Sequence, residues 1–191
     1  TFIYQTAKRL RGCQCRCTMD KTMRITSSIT LTPQSGSLTD LYRKYAGDYP
    51  KFFKMDLLSR LGFVATEMAL QQEEGAVSSE DIHEHRAVIF ANRSASIKND
   101  RDYEATILPD DYFPSPALFV YTLPNIVTGE IAIRHKYMGE SSFYILDDES
   151  QLLPLVEAVF QTTDTTSAIV GWVECPNQDD YTAKIQIVWK N

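Results

Sequence analysis

Apolar and polar positions alternate with two periods along this chain. Ile25, Ile29 and Leu31 punctuate a Ser/Thr-rich stretch and predict a first strand, which Pro33 to Ser37 closes. Leu38 to Tyr49 is polar and Tyr-rich, fitting a short helix or an ordered loop. From Met55 to Gln72, Leu57, Leu61, Val64, Ala65, Met68 and Ala69 recur at helical spacing and form one apolar stripe. Glu73-Glu74-Gly75 ends that helix, and Ser78 or Ser79 is placed to cap a brief turn through Glu80 and Asp81. Ala87-Val88-Ile89-Phe90 is a continuous apolar run, as in a strand buried on both faces.

Beyond it, Asn92 to Asp102 is polar, and Pro109, Pro114 and Pro116 mark irregular chain. Leu118 to Tyr137 predicts one helix with Pro124 near its start. Arg134, His135 and Lys136 suit its C-terminal end. Gly139 to Ser142 is a turn, Phe143 to Leu146 a strand, and Leu152 to Gln161 an apolar helix with Pro154 in its first turn, where proline is tolerated. Two strands come next, Ser167 to Glu174 and Ala183 to Trp189. Strands alternating with helices, then a closing pair of strands, argue for an α/β layered domain around a mixed sheet.

Composition narrows this little, whereas charge divides the chain. With 191 residues, 43% hydrophobic and 23% charged, the sequence has the make-up of a single globular domain. No apolar run approaches the roughly 20 residues that span a bilayer, and a net charge of −6 argues against a general nucleic-acid binder. Thr1 to Thr18 alone carries +4, so the remainder carries −10. The boundary drawn is therefore a basic leader over residues 1–22, read as a disordered upstream extension, and a folded domain over 23–191. Three of the four cysteines, Cys13, Cys15 and Cys17, lie in the leader, leaving Cys175 for the body, so a disulfide framework is not expected. A cytoplasmic location is the default.

The candidate chemistry is sparse. Asp147-Asp148-Glu149 gathers three acids before a helix, a pattern that fits a cap and solvated turn better than a metal site. His83-Glu84-His85 places two ligand types at alternate positions without a third nearby, and reads as a polar strand entry. His135 fits a helix C-terminal cation, Cys175 a partly buried structural thiol, and Glu130 a surface residue. Tyr42, Tyr45, Tyr49, Phe52 and Phe53 fit either a contact patch or packing over the sheet. No cofactor and no metal site is expected.

The stretch from Pro114 to Glu174 resembles the N-terminal half of a β-ketoacyl synthase of the thiolase superfamily. Asn125 matches the family's helix Asn, Gly139 its turn Gly, and Val170-Gly171-Trp172-Val173-Glu174 its late strand. Lys54-Met55-Asp56 with Ser59-Arg60-Leu61-Gly62 resembles the early amphipathic helix. Phe90-Ala91-Asn92-Arg93-Ser94 resembles the second strand and its exit, and Thr182 to Trp189 the segment that opens the second half. The likeness covers residues 23–191 and is strongest to the short synthase-like proteins of aryl polyene and flexirubin-type pigment clusters. It implies a thiolase-like half-domain, three layers in α/β/α order, with a mixed five-stranded sheet.

Two departures bear on activity. Nine residues beyond Gly139, where the family carries its nucleophilic cysteine, stands Asp148. The family's two assisting histidines belong to a second half that has no counterpart in these residues. A thiolate and a carboxylate both suit the positive field at a helix start, but a carboxylate is a poor acceptor of an acyl group from a thioester. The expectation is a synthase-like accessory subunit of a fatty-acid or polyketide-type pathway with no catalytic residue of its own. Its partner would be an active ketosynthase or a second copy, met through Phe143, Tyr144, Ile145 and Leu146, with an acyl carrier protein as a further partner. Two alternatives stand beside it: an acyl- or carrier-protein-binding module, and an acyltransferase with an unrecognised nucleophile.

Overall fold

The computed structural model describes residues 22–73, 80–110 and 113–191. The leader's cysteines and the predicted cap at Ser78 or Ser79 lie outside these residues. The element order is β1 (Met23–Leu31), α1 (Leu38–Tyr45), α2 (Leu57–Gln71), α3 (Glu80–His85), β2 (Arg86–Asn92), α4 (Ile97–Glu104), α5 (Pro116–Val120), α6 (Ile126–His135), β3 (Ser141–Ile145), α7 (Leu152–Thr162), β4 (Ser167–Glu174) and β5 (Thr182–Lys190).

The strands form one five-stranded sheet in the order β1-β5-β4-β2-β3. β4, β2 and β3 are parallel, while β5 pairs antiparallel with both β4 and β1. This is the mixed sheet the alternation predicted. β2 lies between β4 and β3 and every one of its residues is buried, which explains its unbroken apolar run. The chain leaves β2 for β3 by way of α4, α5 and α6. It then passes back over β2 to reach β4 by way of α7. The crossover from β2 thus runs over the α6 face and the crossover from β3 runs back over the α7 face, which makes the carboxyl ends of the neighbouring strands β2 and β3, with β4 beside them, a topological switch point.

Each face of the sheet carries its own core. α1, α2 and α6 cover one face, where Leu31, Leu61, Phe63, Val64, Phe90, Ile131, Ile185 and Ile187 pack together. α7 covers the other with Leu152, Val156, Val159 and Phe160 against Ala87, Ile89, Val170 and Val188. Asp56 starts α2 by accepting hydrogen bonds from the Leu58 and Ser59 amides at 3.0 and 3.2 Å. Gly171 lets β4 and β2 meet closely, since a Cβ there would sit 2.7 Å from the Phe90 ring.

Three expectations change, and one left open is decided. Leu118–Tyr137 is two helices, because Pro124 supplies no amide and falls in the turn between α5 and α6. His83–His85 is the end of α3 rather than a strand entry. Ile82 anchors that helix in the core, and neighbours two apart on a helix diverge instead of sharing a face. Glu130 is buried, not on the surface: it accepts a hydrogen bond from Tyr49 Oη at 2.9 Å and pairs with Lys51 at 2.5 Å. Of the two readings of the aromatic cluster, packing holds for its centre. Tyr42 and Phe52 are buried and stacked at 4.1 Å, leaving Phe53 exposed.

Candidate functional site

The switch point is built from the short segments at the carboxyl ends of the parallel strands: Asn92 to Ala95 at β2, Leu146 to Gln151 at β3, and Glu174 at β4. Asn92 is fully buried, and its side chain closes a tight turn. Its Oδ1 accepts from the Ala95 amide, and its Nδ2 donates to the carbonyls of Ala95 and Val173. Ala95 is held at φ 50°, a left-handed conformation that this bracing stabilises. Arg93 and Ser94 are thereby presented at the sheet edge. The Arg93 amide and the Ser94 hydroxyl both donate to the Glu174 carboxylate, the latter at 2.6 Å. The Arg93 guanidinium reaches across and donates from Nε and Nη2 to the Asp147 carbonyl at 3.0 and 2.6 Å.

That clamp fixes the acidic turn. Asp148 is the N-cap of a single 3-10 turn, Glu149–Gln151, that runs straight into α7. Its Oδ1 accepts from the Ser150 amide at 2.9 Å. Gln151 Oε1 accepts in return from the amides of Asp147 and Asp148 at 3.0 and 3.1 Å. This is a reciprocal capping box, which satisfies amides a helix start would leave open. Hydrogen bonds from Ser150, with the charges of Arg93 and Lys184 beyond them, hold the Asp148 carboxyl below the ordinary aspartate range. Glu149 is ion-paired to Lys184 of β5. Behind the turn, on the α7 face, lies a cavity of about 380 Å³. Leu152, Leu153, Val170 and Trp172 form its apolar wall, and Lys184 and Gln186 its rim.

Among the described residues, no histidine is brought to this end of the sheet. The chain has three histidines. His83 and His85 close α3 just before β2 begins, and His135 closes α6 just before β3 begins. All three therefore lie at the amino ends of the parallel strands, opposite the Asp148 turn. β2 alone puts roughly 20 Å between those ends. His135 Nε2 lies 2.7 Å from the buried Glu67 carboxylate, and His83 Nδ1 2.9 Å from the His135 carbonyl. Cys175 does sit just past β4 at the same end as Asp148, but it is buried in the core of the opposite face. Burial, with the nearby Asp56 charge, pushes its thiol up to about 12, so at neutral pH it is neither ionised nor reachable. Among the described residues no group of three or more His, Cys, Asp or Glu side chains is arranged to hold a metal ion.

Sequence reasoning missed two features. The Arg93–Asp147–Glu174 clamp joins residues 54 and 81 apart. At the other end of the sheet, Arg86 is 1% exposed and pairs bidentately with Glu73 at 2.7 and 2.9 Å. The Arg86 signal was present, an arginine opening an otherwise apolar run, but its partner could not be read locally.

Comparison with solved structures gives the class. The ishigamide ketosynthase/chain length factor matches with a TM-score of 0.69 at 14% identity, over 88% of this chain and 62% of that one. A chain from the complex of the ketosynthase ApeO with its chain length factor ApeC, from Xenorhabdus doucetiae, matches with a TM-score of 0.63 at 15% identity, over 89% of this chain and 79% of that one. A β-ketoacyl synthase from Burkholderia phymatum STM815 matches with a TM-score of 0.64 at 12% identity, over 90% and 59%. The fold is thus the thiolase-like fold of β-ketoacyl synthases and chain length factors. The chain spans about three fifths of the length of the first and third of these. No protein-family model and no curated protein matches the sequence. Among the described residues no helix is long and apolar enough to cross a membrane.

Proposed function

We propose that this chain is a non-condensing, synthase-like accessory subunit of a fatty-acid or polyketide-type pathway, pairing with an active ketosynthase or with a second copy. The observation that carries the reading is the Asp148 turn. A carboxylate stands at the start of α7, nine residues after Gly139, and is engaged as a helix cap with no histidine at its end of the sheet. A capped, ionised carboxylate keeps the local scaffold and lacks the soft nucleophile that thioester chemistry needs. The Xenorhabdus complex, in which a ketosynthase is bound to a chain length factor, supports a ketosynthase as the partner's class.

The pairing surface assigned to Phe143, Tyr144, Ile145 and Leu146 has a supporting geometry. The Val88 amide donates to the Glu140 carbonyl and the Leu146 amide to the Asn92 carbonyl, at 2.7 and 2.9 Å. Even-numbered residues of β3 therefore bond inward to β2. The amides and carbonyls of Ser141, Phe143 and Ile145 face the open side of an edge strand. Met138 and Ile145 beside that edge are 70% and 54% exposed.

The test is co-purification from the native host, then incubation with a malonyl- or acyl-carrier protein and mass analysis. A stoichiometric ketosynthase partner and no adduct on this chain are expected. Capture of a carrier protein alone would point to a binding module instead. An acyl adduct mapped to this chain would overturn the non-catalytic reading.

A further inference from the structure

A second cavity lies at the same end of the sheet but on the opposite face, away from the Asp148 turn. It opens between the segment leading into α1, the first turns of α2 and the turn joining β4 to β5, and holds about 260 Å³. Pro33, Leu38 and Leu57 give it an aliphatic wall. Two residues of opposite charge, Arg60 and Asp179, also line it, yet no ion pair joins them. Arg60 makes no ion pair with any described residue, and its Nε is shielded from solvent with no hydrogen-bond partner. Asp179 uses its amide, which donates to Asn177 Oδ1, and its carboxylate engages no described residue.

The other described arginines that are at least partly buried are paired. Arg86, Arg93 and Arg134 are all committed to acceptors. With Nε closed off, a ligand in the cavity meets the terminal Nη groups of Arg60, which join no ion pair with any described residue and suit a carboxylate. Asp179 across the cavity disfavours a dianion such as phosphate, since like charges there repel. It attracts an ammonium group. The hydroxyls of Thr39 and Tyr181 add neutral hydrogen-bonding capacity to the lining. The volume falls just below the range that holds drug-sized ligands, which suits a molecule of metabolite size.

We propose that this cavity binds a small zwitterion of the amino-acid class, its carboxylate on the Arg60 guanidinium, its ammonium on Asp179 and an aliphatic side chain against Pro33, Leu38 and Leu57.

The experiment is a chemical-shift titration of the ¹⁵N-labelled full chain, read at the Arg60 Nε–H resonance. The probes are leucine, 4-methylpentanoate, 3-methylbutylamine and inorganic phosphate. Leucine is expected to saturate below about 10 mM and to bind at least ~10-fold tighter than either singly charged analogue. Arg60→Gln abolishes leucine binding, while Asp179→Asn brings leucine and 4-methylpentanoate to equal affinity. Because Arg60 satisfies no partner, Arg60→Gln leaves the melting temperature of the unliganded chain unchanged. If that variant nevertheless fails to fold, the exposed Asp179→Asn variant decides by the same comparison. No saturation by leucine, equal or tighter binding of phosphate or 4-methylpentanoate to the unmutated chain, or unaltered leucine binding in Asp179→Asn would each overturn the proposal.

Discussion

Replacing Arg86 by Met probes how the amino end of the sheet is held. Arg86 and Glu73 are each 2% exposed at the side chain. Besides the bidentate pair, Arg86 Nε donates to Ser167 Oγ at 2.9 Å. Its guanidinium lies 5.2 Å from the Trp189 ring centroid and 5.7 Å from that of Tyr137. Burial pulls the Arg86 pKa down, and the hydrogen bonds and charges of Glu73 and Tyr137 together more than reverse this, so the guanidinium stays charged throughout the working range. Removing it leaves the Glu73 carboxylate buried with the Trp189 Nε1 donor at 2.8 Å as its remaining described partner. Stranding one member of a buried pair costs about 3–5 kcal/mol, a large part of the roughly 5–15 kcal/mol that holds a domain folded. Deleting both charges, as in Arg86→Met with Glu73→Leu, avoids the stranded carboxylate and should recover most of that loss. Urea unfolding of the two single variants and the double, monitored by tryptophan fluorescence, gives the coupling directly. A loss below about 1 kcal/mol for Arg86→Met, or a double variant as unstable as the sum of the singles, would refute the reasoning, because burial would then not be raising the cost of the unpaired charge.

The same geometry leads to other outcomes. Gly139→Ala places a Cβ 2.4 Å from the Arg86 carbonyl oxygen, a backbone atom that cannot swing aside. A loss of at least ~1–3 kcal/mol is expected in thermal unfolding, as for an overpacked core. Cys175 should resist iodoacetamide at pH 8 in the native chain and react in urea, as read by peptide mass mapping; rapid native labelling would contradict its burial. The Asp48 carboxyl is lowered by its hydrogen bond from Arg134, and that of Asp148 by Ser150. Their contributions are present above the unfolded value near 3.8 and are lost as pH falls through the lowered native values. Acid unfolding curves of Asp48→Asn and Asp148→Asn should therefore be flatter than that of the parent below about pH 4. Ile145→Lys adds a charge to the open edge of β3. It should shift a dimer or a ketosynthase complex toward free subunit in light scattering while the far-ultraviolet circular dichroism stays unchanged.

The elements were legible where burial imposes a period. The α2 stripe, the apolar run of β2 and the alternation of β5 each reflect which faces meet the core, and the structure has them in those places. The Leu118–Tyr137 segment misled because apolar residues recur on both sides of Pro124. The proline's missing amide was a local fact whose consequence depended on what packed around it. Glu130 misled for the opposite reason: nothing near it in sequence announces Tyr49 and Lys51, which make its burial tolerable.

By itself the sequence determined the alternation of strands and helices, the charge divide near residue 18 and the presence of carboxylates where α7 begins. Those depend on residues within a few positions of one another. Only the tertiary structure decided which ends of the strands share the switch point, because that depends on the order in which crossovers lay β4, β2 and β3 side by side. It put every histidine at the far end from Asp148, set Cys175 in the opposite core, and brought Arg93 to the Asp147 carbonyl. Chemistry at a site needs groups within about 3 Å of one another, and that proximity belongs to the folded chain.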